Sequence, residues 1–268
     1  MKTVSLPSHF PIWGLLAVLG WGWAASAKEP EVVIVSPPPH QSGPVLFVAN
    51  GAGDFRGASK AIGRAIHEAH LPIQLVTFVW THGYGRVIQD VCDQDNVIFQ
   101  GRRLAQWVVV QQRACPHQPI YLLGHCAGCA IVLEAAKHLP PCCVERVLLL
   151  APSVSKHHDL SAVLRCARRS VEVFHSKRDW LSLGLLMRCL SPWGPKAVPC
   201  AGRFGFCPSA THDAGHELTK LRQHPWQPTL KCTGWDGGHF TIYKQGYLRH
   251  FILDLVTEGD PIHSASPD

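Results

Sequence analysis

The stretch from Ile120 to Ala130, Ile-Tyr-Leu-Leu-Gly-His-Cys-Ala-Gly-Cys-Ala, constrains this chain more than any other. An apolar run breaks at Gly124, and a thiol follows between two glycines in the pattern Gly124-x-Cys126-x-Gly128. A strand that turns sharply into a helix needs such a pattern, because side chains at the flanking positions would crowd the turn while its apex residue is pushed outward. The pattern predicts a strand up to the turn, then a helix to about residue 138, where Pro140-Pro141 stops it.

The rest of the chain repeats that rhythm. Residues 31–35 read as an edge strand ended by Ser-Pro-Pro-Pro. Residues 44–49 form a near-continuous apolar run that empties into Asn50-Gly51-Ala52-Gly53-Asp54, the look of a buried parallel strand before a tight loop. Further strands are expected at 75–80, 144–150, 170–175 and 230–233. Helices are expected at 59–69, 96–114, 160–169 and 243–257. The segment 181–228 breaks the alternation with Pro, Gly, Cys and aromatic residues around one apolar helix candidate at 181–190, and reads as a lid-like insertion. Alternating strands and helices predict an α/β fold with a mostly parallel, doubly wound sheet and right-handed crossovers. The loops at the carboxyl edge of such a sheet carry its chemistry.

The chain has 268 residues, 46% of them apolar and 16% charged, enough for one well-buried domain and too apolar for disorder. Its net charge of +6 is scattered, so no nucleic-acid partner is expected. Lys2, the apolar run 10–23 and Ala25-Ser26-Ala27 resemble an export signal, giving a signal peptide at 1–27 and a mature domain at 28–268. Contact with a membrane is expected only if that segment stays uncleaved. Eleven cysteines in an exported chain raise the question of disulfides, and the odd number leaves at least one free, naturally Cys126. Cys200 and Cys207 could close a small loop; the competing reading is that most cysteines are small buried apolar residues.

The Gly-x-Cys-x-Gly turn after a strand, the Asn50 to Asp54 loop after an earlier strand, Asp179 after a late strand and His239 after the last one, in that order, resemble the α/β-hydrolase superfamily over residues 44–257. Most of that superfamily carries serine at the turn. Cys126 in its place resembles the substitution seen in dienelactone hydrolases. The resemblance implies an exported hydrolase of activated carboxylic esters, lactones or thioesters, acting through a thioacyl intermediate on a small-molecule acyl substrate without cofactor or metal. Cys126 would be the nucleophile, His239 the proton shuttle and Asp179 its orienting acid. Backbone N–H groups of Ala127 and of Ala52 or Gly53 would form the oxyanion hole.

Alternatives stand beside each assignment. Asp236 and Asp159 are rival acids. Cys126-Ala-Gly-Cys129 is a Cys-x-x-Cys at a helix start, which suits a thiol redox switch. A catalytically silent binding protein on the same fold is a further reading. His125 is expected to shape the turn. His212, His216 and Glu217 have a ligand-like spacing, but Gly215 and Pro208 disfavour a helix there. Thr81-His82-Gly83-Tyr84-Gly85 reads equally as pocket wall or strand-end turn, and Trp193, Phe204, Phe206 and Trp226 as acyl pocket or ordinary packing.

Overall fold

A computed structural model of the chain describes residues 33–35, 43–179, 199–208 and 217–257. The expected signal segment, the helix candidate at 181–190, Trp193 and the pair His212 and His216 lie outside the described residues. Among the described residues there are seven strands, β1 (Val33–Val35), β2 (Val45–Ala49), β3 (Gln74–Phe78), β4 (Ile120–His125), β5 (Val144–Leu150), β6 (Ala167–His175) and β7 (Leu221–Pro225). They form one sheet in the order β1-β3-β2-β4-β5-β6-β7. Strands β2 to β7 run parallel, and β1 lies antiparallel to β3 at the edge. The helices are α1 (Gly57–Glu68), α2 (Val87–Cys92), α3 (Gln94–Ala114), α4 (Gly128–Ala136), α5 (Ser161–Cys166) and α6 (Ala201–Phe204). A C-terminal helical run follows, made of Gln245–Tyr247, a π-helical stretch Leu248–Leu253 and Asp254–Thr257.

Side chains alternate across a strand, and here both sets are apolar. Val45, Phe47 and Ala49 of β2 face a core built with Leu122, Val147 and Val173 beneath α3, α4 and α5. Leu46 and Val48 face the opposite core, where Leu123, Leu148 and Phe174 meet Ile62 and Ile66 of α1 and Tyr247, Leu248 and Ile252 of the C-terminal run. A fully buried Leu, Ile or Val contributes about 1.5–3 kcal/mol, so cover on both faces explains why these strands are continuous apolar runs.

Strand order reverses at β2, whose neighbours are β3 on one side and β4 on the other. Connections leave such a point in opposite directions and open a crevice at the carboxyl ends of the two strands. The loop after β2 and the turn after β4 therefore lie side by side, with Ala49 paired to Gly124. Their approach is close: a Cβ on Gly128 would stand 2.1 Å from the Ala49 carbonyl oxygen, and one on Gly124 2.6 Å from Cys129 Cα.

Beyond Asp179 the structure corrects the expected layout. The last strand is Leu221–Pro225, inside the segment expected to be lid-like, whereas residues expected as a strand at 230–233 belong to the 3-10 helix Pro228–Thr233. Pro228 pre-sets the helical φ, Leu230 N–H donates to the Gln227 carbonyl, and Gly234 in the left-handed region ends the turn. Strand β7 is polar because it is an edge strand; His224 Nε2–H reaches inward to Glu172 of β6 at 2.6 Å, and its ring stacks on Phe174. Burial opposes the charge of Glu172, but His224, Ser170 and Arg222 hold its carboxyl below the usual range. The helix expected at 160–169 ends at Cys166, because Ala167 is already paired with Val144 of β5. All ten cysteines among the described residues are free thiols, so no Cys200–Cys207 bridge forms; Cys207 is exposed, while Cys200 donates to the Pro152 carbonyl.

Gly128→Ala is expected to destabilise the protein by about 1–3 kcal/mol, the cost of inserting a methyl into a filled contact, measured by urea unfolding. An unchanged midpoint would mean that α4 does not sit this close to β2.

Candidate functional site

The turn after β4 holds Cys126 at φ 54, a left-handed conformation that costs a non-glycine residue about 1–2 kcal/mol. Neighbouring bonds hold it there. Cys126 N–H donates to the Leu150 carbonyl at the end of β5 (3.0 Å), and Cys129 N–H donates back to the Cys126 carbonyl (3.1 Å) as α4 begins. The thiol is presented at the carboxyl edge, half-buried.

Asp179 follows β6 in a turn closed by its own N–H to the Ser176 carbonyl. It is 4% exposed, and its Oδ2 accepts from Nδ1 of His239 at 2.5 Å. The His239 ring also hydrogen-bonds Cys126 on its other side. The loop that carries His239 can lie this near only because Gly237, at φ 91, has no side chain: a Cβ there would be 2.9 Å from both Arg178 Cδ and Ser176 Oγ. Cys126, His239 and Asp179 are thus brought together from three loops. The rival carboxylates are engaged elsewhere. Asp236 accepts from Gly238 N–H and Thr241 Oγ within its own turn, and Asp159 caps Ser161. Arg178 lies over Trp226 rather than on Asp179.

Of the expected oxyanion donors, Ala127 begins α4, where first-turn amides have no carbonyl partner within the helix. The N–H of Gly53 is committed elsewhere: it donates to Asp90 Oδ2 at 2.7 Å, which of the two expected donors from that loop leaves only Ala52 open to the role. Asp90, 1% exposed, is a residue that sequence reasoning missed. Its other oxygen takes the His82 backbone N–H (2.7 Å) and Nδ1 (2.9 Å), while His82 Nε2 reaches Asp93, the cap of α3. The Thr81 to Gly85 run is therefore a strand-end turn tied under the β2 loop, with Tyr84 outside it against Phe55. Asn50 braces the same loop by accepting from Ser59 N–H and donating to Ser59 Oγ.

His125 lies 4.9 Å from His239, ring to ring, and 5.2 Å edge-on from Tyr243. Burial, then the nearby charge of His239, lower the His125 pKa to about 3, against the pull of its bond to the His239 carbonyl. His239 goes the other way. Burial disfavours its imidazolium, yet the charge of Cys126, the hydrogen bonds to Asp179 and Cys126 and the charge of Asp179 outweigh it and raise the pKa to about 10. Burial, then Cys126, push the Tyr243 hydroxyl up to about 12; sequence reasoning missed this neighbour too, because nothing local marks it. Among the expected pocket aromatics, Phe206 belongs to the core, Phe204 is exposed, and Trp226 Nε1–H donates to the Trp235 carbonyl. Among the described residues no cluster of three His, Cys, Asp or Glu could hold a metal, and no helix is long and apolar enough to cross a membrane.

No family model and no curated protein matches the chain. Solved structures do. An α/β serine hydrolase without a lid from Xanthomonas campestris is 19% identical over 84% of this chain and 86% of that one, with a TM-score of 0.46. A serine hydrolase homologue from Coxiella burnetii is 14% identical over 85% and 90%, with a TM-score of 0.46. A poly(3-hydroxybutyrate) depolymerase from Bordetella parapertussis is 14% identical over 82% and 84%, with a TM-score of 0.48. The chain's own sheet is mostly parallel and doubly wound, with the sharp turn at Cys126 after β4 and Asp179 after β6.

Two pH effects of opposite sign follow. His125 is kept neutral in the fold, so stability is lost as pH falls from about 6.5 toward about 3; His125→Gln is expected to flatten that part of a thermal-melt profile. The proton on His239 contributes stability that is fully present below about 6.5 and lost as pH rises through about 10. In Cys126→Ala the charge and hydrogen bond that Cys126 contributes to His239 are gone, and NMR titration is expected to show His239 releasing its proton at a lower pH than in the wild type.

Proposed function

We propose that the chain is a hydrolase of activated acyl compounds, with Cys126 as nucleophile, His239 as proton carrier and Asp179 as orienting acid. The observation that carries this reading is the placement of His239, with Nδ1 on Asp179 and the rest of the ring against a thiol held at the apex of a left-handed strand-to-helix turn.

In the proposed reaction the Cys126 thiolate adds to the acyl carbonyl. The N–H groups of Ala127 and Ala52 stabilise the oxygen that becomes negative. Collapse then depends on the leaving group. A thiolate leaves more readily than an alkoxide, so the intermediate from a plain alkyl ester returns to substrate unless the departing oxygen is protonated or already a good leaving group. The raised pKa of His239 supports the acid step, because the imidazolium beside Cys126 holds the proton that the departing group needs. In the thioacyl form the thiolate charge is gone, so the His239 pKa falls; once its proton has left with the departing group the ring stays neutral and is free to take the proton of the attacking water. Aryl esters, enol lactones and thioesters fit this balance better than alkyl esters. Export of the mature chain belongs to the same reading and rests on residues 1–27.

The test is turnover of a chromogenic aryl ester and of a thioester under reducing conditions. Cys126→Ala is expected to abolish it, and Asp179→Asn to lower kcat by about 10²–10⁴-fold, since the imidazole loses the partner that orients and charges it. A wild-type protein that is inert, joined to a Cys126→Ser variant that hydrolyses the ester, would overturn the reading in favour of a disarmed binding protein. Faster turnover of alkyl than of aryl esters would overturn the leaving-group argument.

A further inference from the structure

Three thiols converge at the end of β5, and the acyl chemistry proposed above uses one of them. The Leu150 carbonyl accepts from Cys126 N–H at 3.0 Å and from the Cys129 thiol at 3.7 Å. Two residues on, the Pro152 carbonyl accepts from the Cys200 thiol at 3.6 Å and from Gly202 N–H at 2.8 Å. Ser153 N–H then returns to the Cys126 carbonyl at 3.3 Å. The segment from Leu150 to Ser153 is stitched to all three cysteines and gathers them around the nucleophile. Their mutual electrostatic influence agrees with this. Burial, then Cys126 and Asp179, push the Cys200 thiol up to about 12, and burial, then Cys126, raise that of Cys129, with a further contribution from Cys200.

The two neighbours of Cys126 differ in freedom. Cys129 is fully buried, its N–H is spent on the Cys126 carbonyl as α4 begins, and its Cα lies against Gly124. A bond between Cys126 and Cys129 would have to unwind that first turn. Cys200 precedes the four-residue helix α6 in extended backbone (φ −74, ψ 138), is only half-buried, and hangs by its thiol from Pro152, one residue before the Ser153 that bonds the Cys126 carbonyl.

We propose that Cys126 and Cys200 form a reversible redox site, in which a hydroperoxide oxidises Cys126 and Cys200 captures the product as a disulfide. This rests on the Cys126–His239 pair of the proposed function. In the first step the Cys126 thiolate attacks the terminal oxygen of the peroxide: an S–O bond forms, the O–O bond breaks, and the departing hydroxide, or alkoxide from an organic hydroperoxide, takes the His239 proton and leaves as water or alcohol. Cys126 is now a sulfenic acid and the peroxide is reduced. In the second step Cys200 Sγ attacks Cys126 Sγ: an S–S bond forms, the S–O bond breaks, and the hydroxyl leaves with the Cys200 proton as water. An external dithiol returns both thiols by exchange. The bond occupies the nucleophile, so hydrolysis stops while it lasts, and it shields Cys126 from irreversible oxidation.

The test is peptide mapping by mass spectrometry of the whole chain after reduction, brief exposure to hydrogen peroxide and quenching with an alkylating agent. The expected result is a Cys126–Cys200 cross-linked peptide that disappears on treatment with dithiothreitol. In Cys200→Ala, Cys126 is expected to proceed to sulfinic acid, which dithiothreitol does not reverse, while Cys129→Ala still forms the Cys126–Cys200 bond. A wild-type bond that maps to Cys126 and Cys129, or Cys126 that stays unoxidised or becomes sulfinic with no bond to Cys200, overturns the proposal. Because the wild-type map needs neither a variant nor turnover, a chain that forms the bond but hydrolyses no acyl compound fails as a hydrolase without failing here.

Discussion

The head of α4 meets the end of β2 with no room for a methyl group between them, and the candidate site depends on that contact. It lets the turn after β4 close tightly enough to hold Cys126 in the left-handed region at the head of α4. It also sets the distance between that turn and the loop after β2. Two strand ends are tied to their neighbours by one repeated device, in which the residue just past a strand donates its N–H to a carbonyl at or near the end of the next strand. Cys126 does so to Leu150 of β5, and Ala151 to Phe174 near the end of β6. The carboxyl edge is in this way a connected rim, and a shift of one loop is felt by its neighbour.

Two histidines less than 5 Å apart carry opposite protonation states in that rim, and the reason is the asymmetry of their partners. His239 has a carboxylate on one side and a sulfur on the other, which outweigh burial. His125 has only a carbonyl to donate to, so burial and its charged neighbour keep it neutral. A neutral ring beside a cation adds no like charge and does not compete for its proton, so the residue inside the turn leaves the charge of His239 to be set by Asp179 and Cys126.

The parts of the fold legible from residues alone are those whose burial leaves a local trace. Strands β2, β4 and β5 are covered on both faces and are written as unbroken apolar runs, and the glycines around Cys126 mark the turn directly. Asp179 and His239 could be singled out because each was expected in a loop after a strand, and the structure joins their side chains, though the strand before the His239 loop is β7 rather than 230–233. Strand β7 could not, since Leu-Arg-Gln-His-Pro has neither an apolar run nor a clean alternation, and the apolar residues near 230 pointed to the wrong segment. Asp90 holds Gly53 from 37 residues away, and Cys200 reaches the site through the carbonyl of Pro152; no local pattern encodes either contact. Gly53 was legible as a loop residue, but its prior commitment to a buried carboxylate was not.

The composition that hid β7 has a further consequence. A parallel sheet ends in a row of open backbone donors and acceptors, a template on which another chain can add itself as an eighth strand. Arg222, Gln223 and His224 place polar and charged groups along that row, and Pro225 removes a donor from its end. The strand that completes the fold is therefore also a barrier against aggregation. Its polarity also serves packing, since Gln223 exchanges two hydrogen bonds with the backbone of Phe206 and Arg222 lies 3.7 Å from Glu172, so an aliphatic residue at either position would remove a fixed partner together with the guard on the edge.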